Sequence, residues 1–203
     1  GVGVVVGAPL IAVFGAKYPR KQLLIGLMVM FALANGLSGL APNYAIMLLL
    51  RFASGLPHGA YFGVAALVAA SLVPPGKRAQ AVARVMTGLT VATIVGVPMA
   101  SWLGLALGWR SAFGVVAVLA AMTAYLVWRF APLDQPSEGA GALRELGALR
   151  RRQVWLTLGI GAIGFGGLFG VYTYLASTLI EVTHVSPALV PIVLASFGIG
   201  RRI

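Results

Sequence analysis

Apolar runs of about 18 residues or more recur along this chain, and nearly all of its charges fall between them. A run of that length is what a helix needs to cross a hydrocarbon core about 30 Å thick. Only 9% of the 203 residues are charged and 60% are hydrophobic, whereas soluble domains carry about 25% charged residues. Too little polar surface is available to cover a globule. The sequence therefore specifies an all-α polytopic membrane protein, because in lipid every backbone amide must be satisfied within its own segment.

Seven apolar segments are expected, at about 2–16, 22–40, 44–73, 82–107, 111–131, 153–180 and 186–200. The connections between them alternate in charge. Odd connections hold 11 basic residues: Lys17, Arg20 and Lys21; Lys77, Arg78 and Arg84; Arg129, Arg144, Arg150, Arg151 and Arg152. Even connections hold one, Arg110. Short cytoplasmic loops are enriched in Lys and Arg, so the odd connections are expected in the cytoplasm and the protein in the inner (plasma) membrane. Anionic lipid is the expected partner of that face. The net charge of +11 comes from these clusters, not from one soluble basic face, which argues against nucleic acid.

Gly1 then starts on the outer side with no basic flank before it and no cleavage site after it, unlike a signal peptide. A fragment lacking an upstream helix is expected. The last segment, at about 15 residues or roughly 22 Å, is expected to be an incomplete span. Segment three is long, about 45 Å as a helix, and Pro57 is expected to kink it. The stretch 132–152 is the expected boundary between a first half, 1–131, and the start of a second, 153–203. Its Leu143, Leu146 and Leu149 are spaced for a short amphipathic surface helix, with a solvated loop as the alternative.

Small residues recur at every fourth position in segment four: Gly88, Ala92, Gly96, Ala100, Gly104 and Gly108. Shorter series are Gly55, Gly59 and Gly63, and Gly166 with Gly170. Such stripes let helices approach closely. Six in register beside Pro98 suggest a tightly docked, bent helix, against the plainer reading of generic packing. The run "GIGAIG" at 159–164 matches a dinucleotide fingerprint literally, but it lies inside a span with no strand before it.

Arg51 and His58 interrupt segment three. Seven residues of helix turn about 700°, so the two point within about 20° of each other, with Ser54 and Tyr61 to one side. Counted from residue 44 they lie about 10 and 21 Å into the bilayer. Ionisable groups at such depth usually border a water-filled pathway. The alternatives are an arginine that snorkels to the interface and a neutral imidazole bonded to a neighbouring helix. No catalytic set accompanies them: the four acids, Asp134, Glu138, Glu145 and Glu181, all lie in or beside connections, and there is no cysteine. No metal, no cofactor and no enzymatic activity is expected from these residues.

Three motifs resemble those of the major facilitator superfamily, drug/proton antiporter type, near its arabinose-efflux and chloramphenicol-efflux branch. The loop "AVFGAKYPRKQ" is similar to that family's G-x-x-x-D-R-x-G-R-R, keeping Lys17, Arg20 and Lys21 but placing Ala16 at the acid and Pro19 at the second glycine. Arg51 followed by Gly55 and Gly59 resembles the helix-four motif. "GVPMASWLG", with Gly96, Pro98 and Gly104, resembles the helix-five antiporter motif, with Ala100 in place of a glycine. The resemblance implies a partial bundle running from family helix two to part of helix eight. It implies proton-coupled export of a small organic molecule, drug or sugar-like, by a monomer. It also implies proton coupling through Arg51, with His58, Ser54 and Tyr61 about the cavity, a gate at Lys17, Arg20 and Lys21, and Tyr172 and Tyr174 on a facing wall. A non-transporting membrane scaffold or sensor subunit is the alternative reading, and a membrane enzyme would need acidic or nucleophilic clusters outside this sequence.

Overall fold

A computed structural model of the chain describes residues 1–132, 147, 150–186 and 189–200. The helices are α1 (Val2–Gly15), α2 (Arg20–Gly39), α3 (Tyr44–Ser71), α4 (Arg78–Val91), α5 (Val97–Leu107), α6 (Trp109–Phe130), α7 (Arg152–Glu181) and α8 (Val190–Gly200). A 3₁₀ turn at Pro75–Lys77 leads into α4, and a π turn at Ala92–Gly96 joins α4 to α5. Among the described residues, five stretches are long and apolar enough to cross a membrane: α2, α3, Pro75–Leu107, α6 and α7. The first and last expected segments are helical as well, with 14 residues in α1 and 11 in α8 among the described residues. The amphipathic helix expected at Leu143, Leu146 and Leu149 lies outside the described residues, as do Asp134, Glu138, Arg144 and Glu145.

The chain forms two compact units, residues 1–86 with 103–145 and residues 87–102 with 146–203. This differs from a division at 132–152 alone, because α8 packs on the π turn and draws residues 87–102 into the second unit.

In the first unit α2 is the central helix, packed against α3 and α6, while α1 packs on α3. Much of what is buried there is small or polar: Ala34, Asn35, Ser38 and Gly39 of α2, Ser54 and Ala60 of α3, Ala120 and Ala124 of α6, beside the larger Leu24, Leu27 and Met28 of α2. Large apolar side chains such as Leu33, Trp128 and Phe130 point outward. That share of small buried residues follows from the solvent. Lipid tails are as apolar as leucine, so helices gain from close backbone approach rather than from hiding leucines.

The closest approach is between α1 and α3. A Cβ on Gly3 would run into the Phe52 carbonyl, and one on Gly7 into the backbone of Leu56. On the other helix, a Cβ at Gly55 would lie 3.1 Å from the Gly3 Cα, and one at Gly59 would lie 2.9 Å from a Val4 methyl. Numbers rise together along both helices, so α1 and α3 run parallel. The stripe Gly55–Gly59 is thus a docked interface, but its extension to Gly63 is not. No atom among the described residues comes within 4 Å of a Cβ built at Gly63, Gly88, Gly104, Gly166 or Gly170. The long stripe of segment four, expected to dock tightly, is open at these glycines among the described residues.

α3 continues as one helix through Pro57, whose ring is buried. Its start is fixed by Asn43, whose Oδ1 accepts a hydrogen bond from the Ile46 amide at 3.0 Å, satisfying one of the first-turn donors. Between α4 and α5 the Val97 amide donates to the Ala92 carbonyl, a wider i→i−5 closure. The widened turn falls immediately before Pro98, which has no amide proton to donate. Segment four is therefore interrupted by a π turn ahead of the proline. A glycine is needed at 108, where φ is +85° and the chain turns from α5 into α6.

α2 and α6 run antiparallel, and a cation closes the pair at each end. Lys21 Nζ donates to the Ala131 carbonyl at 2.7 Å, just past the C-terminus of α6. Arg110 Nη2 donates to the Ala41 carbonyl at 3.2 Å, just past the C-terminus of α2, and stacks 4.9 Å from the Trp109 ring. Both cations meet the negative end of a helix dipole. The two bonds also place the first and fifth connections at one end of the unit and the second and fourth at the other. Lys21→Gln and Arg110→Gln are each expected to cost about 1 kcal/mol. The measurement is the thermal unfolding midpoint in detergent, which should fall by a few degrees in each variant and roughly additively in the pair.

Candidate functional site

The polar groups of the first unit converge where α2, α3 and α6 meet. On α2, Asn35 is 2% exposed and its Nδ2 donates to the Phe31 carbonyl at 2.8 Å, one turn back. That bond fixes the amide so that Oδ1 faces α3. There Arg51 Nη1 donates to it at 2.9 Å. The guanidinium also lies 5.3 Å from the centre of the Phe113 ring on α6, a cation–π contact. Arg51 is thus held from two helices, and the residue is otherwise exposed.

Two turns further along α3, the His58 ring lies between aromatic neighbours. Phe31 of α2 is 5.8 Å away, and Phe62 meets it edge-on at 5.3 Å. Phe31 and Asn35 are four residues apart on α2, and His58 and Arg51 are seven apart on α3. The antiparallel helices therefore pair Phe31 with His58 and Asn35 with Arg51 along one seam. The contacts of His58 are aromatic, and no hydrogen bond reaches its nitrogens among the described residues. Tyr61 is half-buried, its ring 6.3 Å from Phe62.

Ser54 does not join this strip. It is 1% exposed, and its hydroxyl donates to the Arg51 carbonyl at 3.0 Å, bonding back along its own helix. Of the basic loop, Lys17 is exposed and Lys21 is engaged with Ala131. Gly96 and Pro98 flank the end of the π turn, and Gly104 follows in α5. In the second unit Tyr172 and Tyr174 sit on α7, half-buried and exposed respectively. Two residues apart on a helix means about 200°, so the pair cannot share one cavity wall.

Four residues that matter here were not singled out by spacing. Asn35 is a lone amide in the apolar run of α2, and a polar side chain in a span is expected to face inward and find a partner. Phe31 and Phe113 carried no such signal, since aromatic residues are common throughout the chain. Gly3 forms a G-x-x-x-G pair with Gly7, legible in sequence as a dimerising face.

A buried amide aiming a guanidinium at an aromatic ring inside an apolar bundle is a fixed positive charge with free donors at intramembrane depth. Comparison with known proteins shows what the chain as a whole is similar to. The Inner membrane transport protein YdhP of Escherichia coli strain K12 is 43% identical over the whole chain, which covers 52% of YdhP. The MFS-type transporter YfhI of Bacillus subtilis is 35% identical across 95% of this chain and 48% of its own length. The chloramphenicol resistance protein of Streptomyces lividans is 33% identical across 98% of this chain and 52% of its own length. The chain spans about half the length of these curated relatives. The Major Facilitator Superfamily pattern itself matches residues 1–202, and with the helical bundle described above it establishes that the chain belongs to the Major Facilitator Superfamily.

Proposed function

We propose that the protein is a secondary transporter that exports a small organic molecule, drug or sugar-like, in exchange for protons. The observation that carries this reading is Arg51, a guanidinium about 10 Å into an apolar helix, oriented by a buried amide and open on its other side. A scaffold has no use for an accessible fixed charge at that depth, and its insertion costs about 2.5–3.5 kcal/mol on translocon scales. Relatives named for chloramphenicol resistance and for sugar efflux support an export direction. A family of transporters supports a role without enzymatic chemistry.

Transport proceeds by alternating access, two helical halves rocking about a site near the midplane. α1 to α6 supply one half, and Arg51 and His58 border its cavity. The odd connections face the cytoplasm of an inner-membrane protein, in keeping with the charge alternation and with the two ends marked by Lys21 and Arg110. Proton coupling runs through Arg51, and the loop with Lys17, Arg20 and Lys21 gates the inner side. Ala16 in that loop leaves the gate to cations and backbone.

The test uses the intact protein in inside-out vesicles with an imposed pH gradient. Members of a panel of lipophilic drugs, sugars and nucleosides should dissipate the gradient in a protein-dependent way. A gradient that no compound discharges, in vesicles whose protein also accumulates none of the labelled compounds, would favour the scaffold or sensor reading.

A further inference from the structure

A groove of about 390 Å³ runs between α1 and α2 in the first unit. Leu10, Phe14 and Tyr18 stand at every fourth position along one wall, and Gln22, Gly26 and Met30 along the other. The helices are antiparallel, so Tyr18 faces Gln22 at the connection and Leu10 faces Met30 about 12 Å deeper. Within, the groove is apolar; sideways it is open, with Leu10 47% and Phe14 61% exposed. Its volume lies within the range of about 300–1,000 Å³ typical of ligand sites.

The mouth is basic. It opens at the connection that carries an exposed Lys17, followed by Arg20 and Lys21. An apolar slot about one leaflet deep, ending at the exposed cation Lys17, complements one kind of molecule. We propose that it binds an anionic phospholipid of the leaflet facing the basic connections. One acyl chain lies between the two rows of side chains, and the phosphate headgroup meets Lys17, with the Tyr18 hydroxyl and the Gln22 amide as further donors. Gly26 keeps the slot open. A Cβ there meets nothing within 4 Å, so a longer side chain at 26 enters the groove instead of displacing a neighbour. The proposal is independent of what the protein transports.

The experiment is native mass spectrometry of the intact protein, released from detergent carrying equal phosphatidylglycerol and phosphatidylcholine. The wild type should retain phosphatidylglycerol in preference. Lys17→Gln should lower that retention about fivefold, the factor for one juxtamembrane cation worth about 1 kcal/mol, and leave phosphatidylcholine unchanged. Gly26→Leu should remove both lipids without shifting the thermal midpoint. A photoreactive phenylalanine at position 26 should then crosslink to lipid. Equal retention of the two lipids, unchanged retention in Gly26→Leu, or a crosslink to another segment of the protein instead of to lipid would each overturn the assignment.

Discussion

Arg51→Ala is expected to reduce the proposed substrate-driven proton movement in vesicles to that of protein-free membranes, in a variant that inserts and purifies like the wild type. Normal insertion is expected because the substitution removes an intramembrane charge rather than adding one. Arg51→Lys is expected to restore little. The lysine keeps the charge but loses the planar fork that reaches Asn35 while lying against the Phe113 ring. Asn35→Ala is the more informative change. It leaves Arg51 in place but without its aimed acceptor, and a hydrogen bond to a charged group contributes about 1.5–3 kcal/mol, or roughly 10- to 150-fold. Transport should fall by that order, and the loss should vanish when Asn35→Ala is added to Arg51→Ala, because the two residues act as one unit. An undiminished Asn35→Ala variant would mean that the bond is incidental to transport.

Gly7→Leu is the second change with a large expected effect, on stability instead of activity. The atoms a side chain would meet at Gly7 belong to the backbone of Leu56, beside the buried Pro57. Flexible side chains can swing aside, but a helix backbone moves only as a whole. Overpacking costs about 1–3 kcal/mol where side chains can adjust, so the cost here should reach the top of that range or exceed it. For a chain of this size that is a fall of at least about 5 °C in the unfolding midpoint. Gly114→Ala is the matched control, since a Cβ at Gly114 meets nothing within 4 Å among the described residues, and its midpoint should move by no more than about 1 °C. Equal midpoints for the two variants would show that α1 docks on α3 differently.

The helical bundle was legible in the sequence because each span is specified by its own composition. Segments two to six coincide with helices to within a few residues, and the charge clusters fall at their ends. Tertiary pairing was less legible. Arg51 and His58 were placed on one face by spacing alone, but spacing within α3 could not name Asn35, which lies 16 residues earlier on a helix whose own pattern only says that something should meet it. Among the glycines, repetition proved a poor guide to contact. The six-member stripe of segment four is open at Gly88 and Gly104, whereas the two-member pair Gly3 and Gly7 carries the closest approach in the first unit. A stripe records that a helix can be approached, and the partner decides where it is. Ser54 shows the same limit at one residue: its angular position suggested the strip, and its hydroxyl was already committed to the Arg51 carbonyl.

The two cations at the ends of α2 and α6 bear on how such a bundle can move. Neighbouring helices most readily yield by sliding along one another, and a slip of one turn is about 5.4 Å. Lys21 on the Ala131 carbonyl and Arg110 on the Ala41 carbonyl oppose that slip, because a displacement of a whole turn would pull both donors off their carbonyls. The two bonds stiffen the pair against shear, so that it turns more readily as one piece than it slides. Deformation is then left to places where the backbone ladder is already irregular, and in this chain the π turn at Ala92–Gly96 is such a place.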